Sequence, residues 1–348
     1  MNISSPSRSR LLTGTAIALS AVLLAACNPS APSSSENGDS KTVRIGVGGQ
    51  PVLAYLPTTL GEELGFYEDA GVDVDIQDLQ AGSDALQAMM GGSTDVTSGY
   101  YDHTIQMAAQ GQEVRAFVNL LRYPAIVIAV APDAAGEIKE IADLEGKTVG
   151  VTAPGGSTDF FLKHMLTREG LEPDAAAVSA VGADATAVAA MEQGQVDAAV
   201  MLDPAFSQLE ARVGGLTVLA DTRTEAGVEE IFGTTTYPAA VFYAKQDWID
   251  ANEDTTKKLA AVMQRTLQWI QDHTAEEIAA EMPKQYAGDD PALYTKAIAA
   301  LKDAYNPTGE LDEEGANAVL GVMAETQPEV ADADVDVSKT FTNEFLDK

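Results

Sequence analysis

Short apolar runs with strand-like alternation are separated, along most of the chain, by longer stretches with helical spacing. In the first third, valine- and isoleucine-rich runs predict strands at 43–48, 72–79 and 95–99. Between and after them, the spacing of apolar residues predicts helices at 57–69, 83–92 and 101–110. Alternation of strand and helix is typical of βαβ units, so we expect an α/β fold with mostly parallel sheets.

A second cycle of the same kind follows two apolar runs at 114–119 and 125–130. Further strands are predicted at 147–152, 178–181, 197–202, 216–220 and 239–244. Helices are predicted at 158–168, 183–193 and 204–211. From Thr255 onward the chain is predicted to be almost wholly helical, with interruptions at Pro283 and Pro307. Two such cycles and a helical C-terminal region predict two α/β lobes with a cleft between them.

The N-terminal pattern is different. Arg8 and Arg10 precede an uncharged, mostly apolar stretch, residues 11–26, which ends in small residues before Cys27. This layout is typical of a secretory signal, and Leu-Ala-Ala-Cys at 24–27 resembles the lipobox of bacterial lipoproteins. The resemblance implies a signal peptide at 1–26 and an acylated Cys27. The alternative is a transmembrane anchor, but the stretch is shorter than the roughly 20 apolar residues of a spanning helix.

Residues 27–41 contain no apolar side chain larger than proline after Cys27. Such a segment cannot bury enough surface to offset its ordering entropy, so we expect a flexible tether and a globular body from Thr42. The expected location is therefore the extracytoplasmic face of the cell membrane, held there by lipid alone.

Composition narrows the classes of function. The 348 residues carry a formal net charge of -32, which argues against nucleic acid as a partner, because phosphate binding needs clustered Lys and Arg. Cys27 is the only cysteine, and His103, His164 and His273 are far apart in the sequence. No zinc-protease, nucleophile-elbow or phosphate-loop motif occurs. We therefore predict a binding protein with no catalytic residues, metal or cofactor, and expect a monomer.

Loops that follow strands and open helices are the candidate ligand site, because ligands of open α/β sheets bind at the carboxyl ends of the strands. Glycines let backbone N–H groups approach a ligand, and hydroxyl groups add donors, although a simple capped helix explains the same residues. The candidate residues from the second cycle are Gly155, Gly156, Ser157, Thr158, Asp203 and Tyr237. Those from the first cycle are Gln50, Pro51, Tyr55, Gly82, Ser83, Tyr100 and Tyr101.

Three other polar residues invite an enzymatic interpretation. Asp159, Asp203 and His103 are conceivable acid–base groups, but nothing in their spacing makes them a constellation. We expect His103 to be a surface residue.

Three segments carry a family resemblance when taken in order: LEGKTVGV at 144–151, GGSTDFFL at 155–162 and AAMEQGQVDAAVMLDP at 189–204. They resemble the solute-binding proteins of ABC importers, in the group that serves nitrate, sulfonate, taurine and thiamine-pyrimidine-precursor uptake. The resemblance implies the two-lobed type II periplasmic-binding-protein fold, with a helical C-terminal region. Lobe one would comprise 42–128 plus 238–348, and lobe two 129–237, with hinge crossings near 128–130 and 237–239.

The same resemblance implies the function and the partners. The lobes would close on a small solute and deliver it to an ABC permease and its ATPase. The loop at 155–158, with Ser83 and Asp203, would hold an anionic end of a sulfonate, taurine-like solute, aromatic carboxylate or pyrimidine precursor. Enzymes of pyrimidine or menaquinone precursor synthesis share this fold, but the cysteine-rich signature of the pyrimidine-synthesising enzymes is missing here. A sensory lipoprotein that binds without transport is the other alternative.

Overall fold

The structure is a computed structural model that describes residues 42–347. The predicted signal peptide (1–26), Cys27 and the tether (27–41) lie outside the described residues. Strands and helices alternate up to residue 245, as the apolar pattern predicts, and helices follow. The strands are β1 Val43–Val47, β2 Val74–Asp78, β3 Val96–Tyr100, β4 Val114–Asn119, β5 Val127–Val130, β6 Thr148–Val151, β7 Ala177–Ala180, β8 Ala198–Met201, β9 Val218–Asp221 and β10 Ala240–Lys245.

The helices include one long amphipathic element and many short ones. They are α1 Leu56–Glu63, α2 Phe66–Asp69, α3 Gly82–Met90, α4 Asp102–Ala109, α5 Ser157–Arg168, α6 Ala185–Glu192, α7 Ala205–Val213, α8 Glu225–Phe232, α9 Gln246–Ala251, α10 Glu253–Asp272, α11 Ala275–Glu281, α12 Pro291–Leu301, α13 Glu313–Thr326 and α14 Pro328–Ala331. Within residues 42–347, no helix is both long enough and apolar enough to cross a membrane.

Two five-stranded sheets form the framework. The first has the order β2-β1-β3-β10-β4 and the second β7-β6-β8-β5-β9. In the first sheet β1 is parallel to β2 and β3, whereas β10 is antiparallel to β3 and β4. The second sheet repeats this pattern, with β6 parallel to its neighbours and β5 antiparallel to β8 and β9.

Four of the five strands in each sheet run in the same direction, as the expectation of mostly parallel sheets implies, but one strand in each, β10 or β5, is antiparallel to both of its neighbours. The reason is the path of the chain. Each sheet receives one strand directly from the other half of the chain, β5 in the second sheet and β10 in the first. The chain passes between the sheets within residues 120–126 and again within 222–239. Residues 128–130, expected at the first crossing, belong to β5.

The C-terminal helices cover the first sheet and reach the second half of the molecule. Helix α10 buries one face, including Leu259, Met263 and Leu267, at the three- and four-residue spacing of an amphipathic helix. It packs on α1 and α2, and the Arg265 guanidinium lies 3.7 Å from the centre of the Phe66 ring. Helix α13 packs on both α4 and α5, so it touches elements that follow strands of both sheets.

Candidate functional site

A hydrogen bond joins the loop after β3 to the loop after β6. Asp102 is the first residue of α4, and Ser157 is the first residue of α5. The Ser157 hydroxyl donates to Asp102 Oδ1 over 2.9 Å. Because β3 and β6 lie in different sheets, this bond connects the carboxyl ends of strands from the two halves of the molecule.

A small cavity of about 20 Å³ lies beside this bond. Aromatic rings form much of its wall, and two of them, Phe232 and Tyr237, are stacked with centroids 4.1 Å apart. Tyr100 is buried and donates its hydroxyl to the Pro124 carbonyl over 2.6 Å. The full lining is Tyr100, Asp102, Pro124, Ile126, Ser157, Phe160, Phe161, Phe232, Tyr237, Val322 and Met323.

Asp102 is the acidic group of this cavity, and its surroundings disfavour its charged form. The side chain is 12% exposed. Burial raises the pKa of Asp102 from 3.8 to about 7, although hydrogen bonds from Ser157 and from the His103 backbone oppose the shift. Among residues 42–347, no lysine, arginine or histidine lines the cavity, so no described side chain of its wall offsets a negative charge.

His103 follows Asp102 in α4, and its predicted surface position is wrong. The ring is fully buried because it faces inward against β10, where its Nδ1 lies 3.0 Å from the Tyr243 hydroxyl. Its Nε2 is 3.9 Å from Asp102 Oδ1 and has no hydrogen-bond partner among residues 42–347. Burial lowers the pKa of His103 to about 4, so at neutral pH the ring carries no charge to balance Asp102.

In the loop at 155–158, some polar groups form hydrogen bonds that stabilise the loop itself, and one hydroxyl faces the cavity. Gly155 adopts φ +74°, a conformation that favours glycine, and its N–H donates to Asp159 Oδ2 over 2.7 Å. Thr158 Oγ1 accepts from the Thr152 backbone N–H over 3.0 Å. Neither the Ser157 hydroxyl nor the Thr158 hydroxyl caps α5, because the N-cap residue of this helix is Gly156. Ser157 is therefore the hydroxyl of this loop that faces Asp102.

The loop after β2 approaches the same region. A Cβ on Gly156 would lie 3.8 Å from Ser83 Oγ, so the two predicted glycine loops face one another across the halves. A Cβ on Gly82 would lie 2.9 Å from His103 Cε1, and glycine is therefore required for α3 to begin this close to α4. Tyr55 packs edge-on against Tyr100, with ring centroids 6.0 Å apart. The structure thus groups these predicted residues around Asp102.

Other predicted site residues lie elsewhere. Tyr101 is fully buried on the far side of β3, where its hydroxyl contacts Thr340 and its ring packs against Phe341. The Gln50 backbone N–H donates to Asp78 Oδ1 over 3.3 Å. Pro51 borders a separate groove of about 560 Å³. We place these three residues outside the cavity.

Asp203 is occupied by structural contacts. Its Oδ1 accepts from the Ser207 hydroxyl over 2.6 Å, and Arg223 Nη1 donates to its Oδ2 over 3.2 Å. Its backbone carbonyl accepts from the Leu53 N–H over 2.9 Å. Asp203 therefore links the two halves through its backbone, while its buried carboxylate is committed to Arg223.

The acid–base constellation considered from sequence does not form. Asp159 pairs with Lys163 over 3.0 Å, Asp203 pairs with Arg223, and His103 contacts Tyr243. Each of the three has its own separate partner. Within residues 42–347, no three acidic or histidine side chains are grouped so that they would hold a metal ion.

Sequence reasoning missed eight residues of the cavity wall: Asp102, Pro124, Ile126, Phe160, Phe161, Phe232, Val322 and Met323. For Asp102 a signal existed, because it directly follows the candidate residues Tyr100 and Tyr101. An acidic residue in the first turn of a helix is usually explained by the helix dipole, so its position alone did not indicate that Asp102 lines a cavity. Phe160 and Phe161 follow the glycine-serine loop and resemble ordinary core residues of α5.

Two mixed five-stranded sheets, crossed twice by the chain and facing each other through the loops after β3 and β6, define a type II periplasmic-binding-protein fold. The match to a family model confirms this class. Residues 54–277 match the model described as NMT1/THI5 like, and the chain belongs to that family. The curated relatives that it matches include proteins described as putative binding proteins.

Individual relatives agree with this assignment. YtlA of Bacillus subtilis (strain 168) is 24% identical over 266 residues, which are 75% of this chain and 76% of YtlA. A solved structure from Bordetella bronchiseptica RB50 is 41% identical, with a TM-score of 0.83 over 87% of this chain and 95% of that one. The alkanesulfonate-binding protein SsuA from Xanthomonas axonopodis pv. citri, bound to MOPS, is 19% identical. Its TM-score is 0.69 over 86% of this chain and 98% of that one, which shows the shared fold.

Proposed function

We propose that this protein captures a small solute between the loops that carry Asp102 and Ser157 and delivers it to an ABC permease. The cavity of about 20 Å³ beside these residues has room for about one water molecule, so the two loops separate to admit the solute. The observation that carries the proposal is the 2.9 Å hydrogen bond between these residues, because it joins loops that belong to different sheets. A solute that contacts both loops binds the closed arrangement better, and it shifts the population toward closure by that difference in affinity.

The two halves of the chain would be the two lobes of this binding protein. We propose the two lobes expected from the sequence, 42–128 plus 238–348 and 129–237, with the first boundary moved to 120–126 because 127 and 128 belong to β5 of the second sheet. The hinge lies in the two segments that cross between the sheets. Contacts that would break on opening support this division. They include Leu53 N–H to the Asp203 carbonyl at 2.9 Å, and His164 Nδ1 to Glu325 Oε2 at 3.2 Å.

The proposed location of the protein at the membrane rests on its N-terminal sequence, which lies outside the described residues. We propose that Cys27 carries the lipid, so that the tether at 27–41 holds the binding protein near its permease. One acyl chain gives only marginal membrane binding, whereas the two or three chains of a lipoprotein cysteine give stable anchoring.

Retention of a solute by the purified protein tests the proposal. Ser157→Trp puts a large side chain at the cavity, and Ser93→Trp, in an exposed turn, is the matched control. We expect native mass spectrometry to find the same small molecule on the wild type and on Ser93→Trp, and none on Ser157→Trp. A solute that stays on Ser157→Trp, or a wild type that never carries one, would contradict the proposed site.

A further inference from the structure

We propose that the solute of this cavity is a small organic cation whose N–H groups donate to Asp102 and whose apolar or aromatic part lies among the surrounding rings. This inference rests on the proposed function and specifies its substrate class. It departs from the anionic solute that the sequence resemblance implied.

The place where an anion would be expected already holds a carboxylate. An anion is favoured at helix N-termini, and Asp102 and Ser157 are the first residues of α4 and α5 respectively. The Ser157 hydroxyl, the predicted donor to an anionic ligand, donates instead to Asp102 Oδ1. A ligand that approaches these two helix ends therefore meets a carboxylate rather than a row of free donors.

Four ionisable side chains of the described residues lie near this carboxylate, one histidine and three tyrosines, and none of them is positively charged at neutral pH. The nearest ring nitrogen, His103 Nε2, belongs to a buried histidine that is uncharged at neutral pH. Burial raises the pKa of Tyr55, Tyr100 and Tyr237, and the charge of Asp102 raises each further, so their phenols stay protonated. Burial of an unpaired carboxylate is unfavourable, and a ligand that supplies the positive charge removes this penalty.

The aromatic side chains of the cavity wall suit the apolar part of such a cation. Phe232 and Tyr237 are stacked, and Phe160 and Phe161 line the same cavity. The faces of aromatic rings attract cations, and they also pack against flat apolar groups. An amidine or a primary amine attached to a ring combines both features, with N–H donors directed at Asp102 and a flat body that packs against these aromatic side chains when the two loops separate.

Pairs of probes with the same shape and opposite charge test the inference. We would titrate benzamidinium against benzoate, and phenylguanidinium against benzenesulfonate, by calorimetry in 150 mM salt at pH 8.0 and pH 5.5. The salt matters because a protein with a formal charge of -32 attracts any cation weakly. Three variants accompany the wild type. Asp102→Asn removes the charge but keeps an acceptor for Ser157, Asp332→Asn removes one exposed charge, and Ser157→Trp obstructs the cavity.

We expect the cationic member of at least one pair to bind the wild type, and neither anion to bind. Affinity is expected to be about thirtyfold higher at pH 8.0 than at pH 5.5, because Asp102, with a pKa of about 7, must be ionised to hold a cation. Asp102→Asn should lower the affinity at least tenfold, Ser157→Trp should abolish binding, and Asp332→Asn should leave it unchanged.

Several results would overturn the inference. They are binding of an anion without its cationic partner, no binding by either cation, and equal cation affinity in Asp102→Asn and the wild type. Anion binding that Ser157→Trp abolishes would refute the cation while supporting the proposed capture of a solute. Failure of the proposed function itself is recognised separately, as a solute that Ser157→Trp still retains.

Discussion

Replacement of Asp102 by asparagine is expected to stabilise the solute-free protein, and to do so only where the carboxyl is ionised. The substitution keeps the size of the side chain and an oxygen that accepts from Ser157 Oγ. It removes a carboxylate that is buried without a cation in its cavity. The two proteins should therefore differ mainly in the cost of ionising residue 102 in the folded state.

The magnitude follows from the pKa of Asp102, which burial raises from 3.8 to about 7. Because the folded state then holds the proton more tightly than the unfolded state, this group contributes stability below pH 3.8. That contribution is lost as the pH rises through about 7. A shift of about three pKa units corresponds to about 4 kcal/mol in total, and about 3 kcal/mol of it is lost between pH 5 and pH 8.5.

Urea unfolding followed by circular dichroism measures this quantity. The free energy of unfolding would be determined at half-unit steps from pH 5 to pH 8.5, on protein refolded from urea so that no solute remains bound. His103 also titrates, because burial lowers its pKa to about 4, and this makes stability fall as the pH drops below 6.5. Both proteins contain His103, so its contribution largely cancels in the difference.

We expect Asp102→Asn to be the more stable protein at pH 8.5, and its advantage to shrink by about 3 kcal/mol as the pH falls to 5. The control, Asp332→Asn, changes the net charge equally but at an exposed position, and its difference from the wild type should stay nearly constant. A difference between Asp102→Asn and the wild type that does not vary with pH would refute the reasoning. It would mean that Asp102 ionises equally well in the folded and unfolded states.

Three further predictions concern other parts of the chain. Gly155→Ala should lower the free energy of unfolding by about 1–2 kcal/mol, because φ is +74° at this position. Gly136→Ala, at a turn glycine without a positive φ, should lower it little, and equal losses in urea unfolding would contradict this prediction. Arg223→Met should lower the free energy of unfolding by about 3–5 kcal/mol, because it leaves the Asp203 carboxylate buried without its partner. In a double-mutant cycle, adding Asp203→Asn should recover much of this loss, and a double variant no more stable than Arg223→Met would show that the ion pair is not the cause. Cys27→Ser should abolish incorporation of labelled palmitate and move the protein from the membrane to the soluble fraction; labelling that persists would place the lipid elsewhere.

Local sequence pattern was enough to predict the order of the strands and of most helices, because strand alternation and helical spacing are set by residues close together in the chain. Helices α8 and α9 were not predicted. For the same reason, the glycine-serine loop before α5 and the helical region after Thr255 were found correctly. The direction of β5 and β10 was not, because the pairing partners of a strand depend on where the chain crosses between the sheets.

The site depended on contacts between distant residues. Tyr100 and Tyr101 are neighbours of identical type, yet one lines the cavity and the other packs against the C-terminal segment near Thr340. Asp203 looked like a ligand-binding residue until the fold placed Arg223 beside it.

The sequence by itself determined the class of fold, the family and the presence of loops suited to binding. Only the tertiary structure decided the charge of the site. Asp102 and Ser157 are 55 positions apart and start different helices. An isolated carboxyl has an ordinary pKa, and the perturbation at Asp102 arises from burial among residues drawn from both halves of the chain. No pattern within a single segment contains that information.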